Sequence, residues 1–451
     1  MKKCIFLCVF NQEKYVDMLY LLLESIFIFG NLDDKTDILI YTSTIFMNKI
    51  KQSNLFHENI FFEINDTYDN IDKGCKARLD LFSLNSVSNY DKILYLDTDI
   101  LIKGDINTIF DVITDDVLYV LEEGTIDSES DYWGKSLFRD KLDLYEDKTA
   151  FTSGILLFKN CEKVKKLFDN VNKDIIKKIH TFHDQPYIVY NAFKYNMFNN
   201  KILKKYVVNN DDNINSDKII HHFPGGPGIY QHKIINMTKF LNNIKDYIIC
   251  NNIEKTKEYI NKYLIPIIHD SQELLEGNIF MRHNTITYTD EFLNKTKNIS
   301  NLLLNKKIKK VMEIGFNSGF SALLMLISNP YIKLSCFDLG EHKYTYKCYE
   351  KIKETYGDRI NIIFGDSTQT LQNVNDCFDI IHIDGGHSTD IATSDIINSY
   401  RLSKKGCILI MDDYDFNNLH TLWDYYINKF NFKNLDIFLY NTPHHDIKYV
   451  I

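Results

Sequence analysis

Short apolar runs that stop at acidic residues recur along this sequence, and they constrain its fold more than any other feature. Ile93-Leu94-Tyr95-Leu96 stops at Asp97-Thr98-Asp99; further on, residues 378–383 stop at Asp384 and 407–411 at Asp412-Asp413. Brief β-branched and aromatic runs separated by helix-length segments read as buried strands with crossover helices, an α/β architecture. Open α/β sheets place ligands beyond the carboxyl ends of their strands, where these acids stand.

Residues 5–10, 38–41 and 59–64 read as the first three strands and 15–29 as a helix packed on them. A helix over 76–87 is expected before the 92–96 strand, then strands at 117–121 and 153–158 and a helix over 161–179. Asp184-Gln185-Pro186 opens another helix with proline in its first turn, and a glycine and proline loop over 221–228 closes this half. After a polar, helix-compatible stretch over 234–267, a second α/β set begins: strand 310–314, turn 315–319, helix 321–328, then strands at 334–337, 360–364, 378–383 and 407–411. Two tandem nucleotide-type domains are expected, 1–250 and 291–451, joined by a helical linker or lid over 251–290. The 451 residues are about three times the ~150 of a typical domain.

Composition excludes several classes. With 45% hydrophobic residues against 18 Gly and 6 Pro, disordered and collagen-like chains are out. Lys+Arg 52 against Asp+Glu 61 leaves a net charge of -9, the wrong sign for a nucleic-acid wrapper, so no nucleic-acid partner is expected. Nine cysteines without a close pair read as buried thiols in a reducing compartment. Asn11 to Lys14 interrupt the apolar start, and Glu24 and Ser25 interrupt residues 18–29, so neither makes the ~20-residue apolar span a membrane needs. The expectation is a soluble cytoplasmic chain; its Ile, Asn, Lys and Tyr bias suits an A+T-rich genome, and for a viral source the compartment is the host cytoplasm. Whether it forms a homo-oligomer is left open.

Asp97 and Asp99 follow a buried strand where the backbone can turn both carboxylates toward one hard divalent cation, which in turn can bridge a diphosphate. The segment from Tyr90 to Ile106 resembles the metal segment of glycogenin-like, family 8 glycosyltransferases of the GT-A fold. That resemblance implies a nucleotide-sugar donor, a UDP-sugar by family habit, transferred with retention and with Mn2+ held by Asp97, Asp99 and His222. It implies that Tyr15, in Phe10-Asn11-Gln12-Glu13-Lys14-Tyr15, stacks on the uracil, and that Lys76 and Arg78 meet the donor phosphates or sugar. Thr152-Ser153-Gly154 and His183-Asp184-Gln185-Pro186 match the family's sugar-side strand and helix start, which puts Asp184 beside the donor sugar and acceptor. The plainer alternatives stay open: Tyr15 as a packing aromatic, Lys76 and Arg78 as a solvated pair, Asp184 as a helix cap. His221-His222-Phe223-Pro224-Gly225 is similar to the family's terminal loop, but Gly226-Pro227-Gly228 stands where the family has Lys-Pro-Trp. Lys233 lies five residues beyond, so which cation meets the leaving diphosphate is an open question.

In the second half, Gly315 and Gly319 form a cofactor-type turn that lacks the middle glycine of the dinucleotide fingerprint, since Asn317 stands there. Asp338, Gly365-Asp366-Ser367, Asp384-Gly385-Gly386-His387 and Asp412-Asp413 each follow a strand. The string resembles class I S-adenosylmethionine-dependent methyltransferases, and among them the macrocin O-methyltransferase and cephalosporin-hydroxylase-like group. The resemblance implies a Rossmann-like domain with Glu313, Gly315, Gly319, Asp338 and Asp366 around S-adenosylmethionine. Three carboxylates at adjacent strand ends repel unless a cation joins them, and the family likeness makes Asp384, Asp412 and Asp413 a Mg2+ site. His387 is the candidate base, with capping of the following helix as its alternative.

Both halves together suggest a chain that builds and decorates one glycan, with a nucleotide sugar and a glycan or glycoconjugate acceptor as partners. The alternative is a single-activity O-methyltransferase whose first domain only recognises glycan.

Overall fold

The computed structural model describes residues 1–145, 148–177, 180–225 and 230–451. Gly226-Pro227-Gly228 and the end of the helix expected over 161–179 lie outside the described residues. The chain divides into two compact units, Met1–Lys51 with Leu55–Leu241, and Gln52–Asn54 with Asn242–Ile451.

The first unit contains β1 (Lys3–Val9), β2 (Thr36–Thr42), β3 (Ile60–Ile64), β4 (Lys92–Leu96), β5 (Ile100–Ile102), β6 (Leu118–Thr125), β7 (Thr149–Lys159), β8 (Phe198–Asn199), β9 (Val207–Asn209) and β10 (Ile220–His222). A seven-stranded sheet runs β3-β2-β1-β4-β7-β6-β8, and a small one runs β5-β10-β9. β1, β2, β3 and β4 are mutually parallel, whereas β7 pairs antiparallel with β4 and β6. Strands this apolar on both faces need covering on both, and helix Glu13–Phe29 does so on one side. The serine inside that helix is not a flaw: Ser25 Oγ accepts the N–H of Ile102 at 2.9 Å and donates to Leu22 O at 2.7 Å, tying the helix to β5.

The 76–87 segment departs from expectation. It forms two 3-10 helices, Ala77–Ser83 and Asn85–Asn89, in place of one α-helix. Asn85, Ser86, Ser88 and Asn89 compete for backbone hydrogen bonds, as with Ser88 Oγ donating to Asn85 O at 2.8 Å, so a regular helix does not propagate.

The second unit contains β11 (Lys310–Ile314), β12 (Lys333–Asp338), β13 (Ile360–Phe364), β14 (Phe378–Ile383), β15 (Ser403–Met411) and β16 (Asp446–Tyr449). Their order is β13-β12-β11-β14-β15-β16, parallel throughout except for the antiparallel edge β16. Strand order reverses between β11 and β14, the position where such sheets open a crevice. Trp423 is fully buried in this unit's core and donates Nε1–H to Asp446 Oδ2 at 2.6 Å. Helix Tyr230–Tyr259 widens into a π-turn, Ile260–Leu264, just before helix Ile265–Ser271. Pro266 supplies the cause, since it lacks an N–H and its ring crowds the preceding turn. Among the described residues no helix is long and apolar enough to cross a membrane.

Candidate functional site

At the end of β4 the chain turns, and Asp97 N–H donates to Gly154 O at 2.9 Å. Asp99 Oδ1 then lies 3.5 Å from His222 Nε2, and Asp99 Oδ2 lies 2.6 Å from Lys233 Nζ. His222 Nδ1–H donates to Asn209 Oδ1 at 2.9 Å, which leaves Nε2 as the nitrogen with a lone pair aimed at the aspartates. Burial alone would raise the Asp99 carboxyl, but His222 and Lys233 hold it well below the usual carboxylate range. Gly154 lies beneath: a Cβ there would stand 3.0 Å from Asp97 Oδ2 and 3.0 Å from His222 Nε2. Asp97 Oδ2 and His222 Nε2 thus meet over Gly154, and Asp99 reaches the same imidazole nitrogen from the other side, a donor set of the kind a hard divalent cation takes.

These groups edge a cavity of about 590 Å³ whose walls include Tyr15, Arg78, Glu123, Trp133 and Asp184. Arg78 Nε sits 2.8 Å from Asp184 Oδ2, its NH1 lies 3.5 Å from Asp97 Oδ1 and donates to Ser153 O at 2.6 Å, and the guanidinium covers the Tyr95 ring at 4.8 Å. Tyr95 hydroxyl donates to Asp97 Oδ1. Burial raises Asp184, with Arg78 opposing, and burial likewise raises Glu123, with His222 opposing. The structure thus gathers Tyr15, Arg78, Asp97, Asp99, Asp184 and His222 around one space, whereas Lys76 is not among the lining residues. Asn209, Glu123 and Trp133 were not singled out from the sequence, and Lys233 was noted there without a role.

In the second unit Gly315 has φ +91°, and a Cβ would collide with the Asp384 carbonyl of the adjacent strand. Asp338 fastens the turn that follows: Oδ2 accepts the N–H of Phe316 at 2.9 Å and of Asn317 at 2.8 Å, and Oδ1 that of Gly340 at 2.7 Å. Gly319 opens the helix Phe320–Ser328. Asp366 caps the helix Ser367–Thr370 by accepting the N–H of Thr368 at 2.8 Å. Glu313 is fully buried and faces inward, 3.2 Å from His382 Nδ1.

Asp384, Asp412 and Asp413 end β14 and β15, neighbours in the sheet. Asp412 is 2% exposed and meets Lys295 Nζ at 2.9 Å and 3.0 Å, His445 Nε2 at 3.2 Å and His382 Nε2 at 3.7 Å. Burial disfavours both its charge and that of His382; even so Lys295 pulls Asp412 well below the carboxylate range, and the Asp412 and Glu313 carboxylates raise His382 to about 10. Asp384 behaves oppositely, raised well above its ordinary value by burial and by Asp412 and Asp413, so the cluster still carries a crowd of carboxylates that a divalent cation would relieve. Asp413, at φ +52°, reaches His387 Nε2 through Oδ2 at 2.9 Å and raises that imidazole. Close by, Asp395 of helix Thr389–Arg401 is fully buried, with carboxylate oxygens that have no hydrogen-bond partner of good geometry. A Cβ on Gly385 would stand 2.7 Å from its Oδ2. Burial pushes Asp395 up to about 6, with Ser367 opposing. Lys295, His382 and His445 were missed in the sequence; the readable signal was a histidine inside the buried run Ile381-His382-Ile383, which needs a partner.

Comparison with known proteins finds a family match in each half of the chain. The family model "Glycosyl transferase family 8" matches residues 37–222, and "Methyltransferase domain" matches 312–414. Among solved structures, the galactosyltransferase LgtC shares 16% identity over 53% of this chain and 95% of its own, with a TM-score of 0.39. Mouse xyloside xylosyltransferase 1 shares 12% over 49% of this chain and 97% of its own, TM-score 0.37. A putative caffeoyl-CoA O-methyltransferase from Staphylococcus aureus shares 16% over 36% of this chain and 85% of its own, TM-score 0.31. No curated protein matches the chain. With one model spanning the Asp97 to His222 cavity and the other spanning the Gly315 turn through Asp413, the chain joins a GT-A-like glycosyltransferase domain of family 8 to a Rossmann-like methyltransferase domain.

Proposed function

We propose that the chain is a bifunctional glycan-modifying enzyme. Its first unit transfers a sugar from a nucleotide donor, a UDP-sugar on the family likeness, with retention, and its second unit O-methylates a sugar hydroxyl using S-adenosylmethionine. The finer likeness to macrocin O-methyltransferase-like enzymes is part of this reading.

The observation that carries it is that Asp97 Oδ2 and His222 Nε2 meet over Gly154, with Asp99 3.5 Å from that nitrogen, at the edge of a cavity of about 590 Å³. Mn2+ held there would neutralise charge developing on the leaving diphosphate. Lys233 Nζ adds a second positive charge at the same edge, so the altered Gly226-Pro227-Gly228 segment does not leave the site without a cation of its own. Arg78 bridges Asp184 and Asp97 across the cavity, at 2.8 Å and 3.5 Å, and holds both in place. Tyr15 offers a ring for the base.

In the second unit Gly315, Gly319, Asp338 and Asp366 would hold S-adenosylmethionine. Asp338 spends three acceptor sites on backbone N–H groups and keeps capacity for a hydroxyl. Mg2+ at the Asp384 cluster would lower the pKa of an acceptor hydroxyl. His387, with Nε2 tied to Asp413, presents Nδ1 to take that proton.

The test is mass spectrometry of nucleotide-sugar turnover across UDP- and GDP-sugars with manganese, with and without S-adenosylmethionine and glycoside acceptors. Nucleotide release from one donor, lost on chelation, together with methylated glycoside, is the expected result. No release from any donor, with cofactor still bound by the second unit, leaves a methyltransferase carrying a recognition-only sugar domain.

A further inference from the structure

Strand register lines up four side chains across the second sheet. Glu313 of β11 pairs with His382 of β14, and His382 pairs with Ile410 of β15, two residues before Asp412. Met411 pairs with Asp446 of the antiparallel β16, so the next positions outward are Asp412 and His445. Glu313, His382, Asp412 and His445 are all buried, and one ligand atom from each of His382, Asp412 and His445 lies within 4.8 Å of the other two. His382 Nε2 stands 3.7 Å from Asp412 Oδ2 and His445 Nε2 3.2 Å from Asp412 Oδ1, yet neither nitrogen has a hydrogen-bond partner of good geometry. Two ligands each about 2.1 Å from one ion stand roughly 3–4 Å apart, so these spacings suit atoms that share an ion better than atoms that share a proton.

Glu313 supplies the companion feature of such a centre. Its Oε1 lies 3.2 Å from His382 Nδ1 and accepts that N–H, which leaves Nε2 with its lone pair toward Asp412. Lys295 does not close the site: an ionised carboxylate offers about four lone-pair positions, and Lys295 Nζ and the Asp413 N–H take three, two on Oδ1 and one on Oδ2. Glu313, Asp384, Asp412 and Asp413 set four acids against that one ammonium, so a dication is compensated. Two imidazole nitrogens favour a borderline transition ion over Mg2+, which takes oxygen. We propose that His382 Nε2, His445 Nε2 and one oxygen of Asp412 bind a divalent ion of the zinc class, which pins the edge strand β16 to β14 and β15. The inference goes beyond the Mg2+ reading given above, since it concerns an inner position that the half-buried Asp384 and Asp413 need not serve.

The test is calorimetric Zn2+ binding to the full chain, with Asp97→Asn, Asp99→Asn and His222→Gln present throughout to silence the first unit's site. One Zn2+ per chain is expected, not displaced by excess Mg2+, and its binding should raise the melting temperature. His382→Gln and His445→Phe are each expected to weaken binding about a hundredfold or more, Glu313→Gln about tenfold, and the Asp384→Asn/Asp413→Asn double variant by less than about tenfold. Near-ultraviolet circular dichroism reports that each variant is folded. Should a histidine variant not fold, pulsed electron paramagnetic resonance of the Cu2+-loaded parent decides: echo modulation from two imidazoles is expected, and one or none overturns the proposal. No Zn2+ bound by the parent, or binding that survives both histidine variants, overturns it as well. Binding lost only with Asp384→Asn/Asp413→Asn moves the ion to the outer acids, which overturns the proposal while the Mg2+ reading stands.

Discussion

Both units place acids at the strand beside the sheet's point of reversal, after β4 next to β1 and after β14 next to β11. In the first unit the acids border open space, with side chains 32% exposed for Asp97 and 10% for Asp99, and their counter-charges, His222 and Lys233, come from the rim of the same cavity. In the second unit Asp412 is sealed beneath a lysine and two histidines. The same motif, an acid ending a buried strand, thus stands on an open cavity wall in one unit and beneath buried cationic groups in the other. The difference lies in what distant segments bring to it.

Gly154→Ala breaks the open arrangement most severely. Its methyl would press on Asp97 and His222 together, and sugar turnover is expected to fall by about a hundredfold or more while methyl transfer persists. A steady-state assay of each half on the same preparation checks this. Lys233→Ala tests whether the rim cation serves the leaving group: kcat for sugar transfer should drop by one to two orders of magnitude, with partial return in Lys233→Arg. An unchanged kcat would mean that Lys233 only balances Asp99.

On the closed side, Asp338→Ala leaves three N–H groups of the cofactor turn without an acceptor. It is expected to cost about 1–3 kcal/mol of stability and to weaken S-adenosylhomocysteine binding in calorimetry. The last effect concerns Asp395, which burial holds at about 6 against an ordinary 3.8. An acid with a raised folded pKa binds its proton more tightly when folded, so its contribution is fully present below about 3.8 and is lost as pH rises through about 6. Asp395→Asn should therefore stabilise the chain by about 3 kcal/mol at pH 8 and by only about 0.5 kcal/mol at pH 4. Thermal unfolding at the two pH values decides it, and an equal shift at both would show that ionisation of Asp395 is irrelevant.

How far the sequence could be read follows from range. The central strands and their terminal acids were legible because apolar runs and the acids that stop them are local patterns. β5, β8, β9 and β10 were not, since strands of two or three residues carry no periodicity and exist only through their partners. Arg78 and Lys76 looked alike in sequence, yet packing aims Arg78 into the cavity and leaves Lys76 off its walls. Lys295 reaches Asp412 across 117 residues and Lys233 reaches Asp99 across 134, and neither pairing leaves a trace in spacing. That the three acids of the second site crowd one sheet edge was readable from the strand ends; that a lysine side chain meets one of them was beyond what local pattern can tell.

The sequence has two tryptophans, and the fold assigns one to each half: Trp133 on the wall of the sugar cavity and Trp423 sealed in the core of the other sheet. The molecule therefore carries two separate optical channels. Emission from Trp423 should be blue-shifted and follow the melting of its own unit, whereas emission from Trp133 should respond when the cavity fills. In a Trp423→Phe chain the whole remaining signal would belong to the sugar site, and donor or acceptor binding could be followed without a label and without turnover.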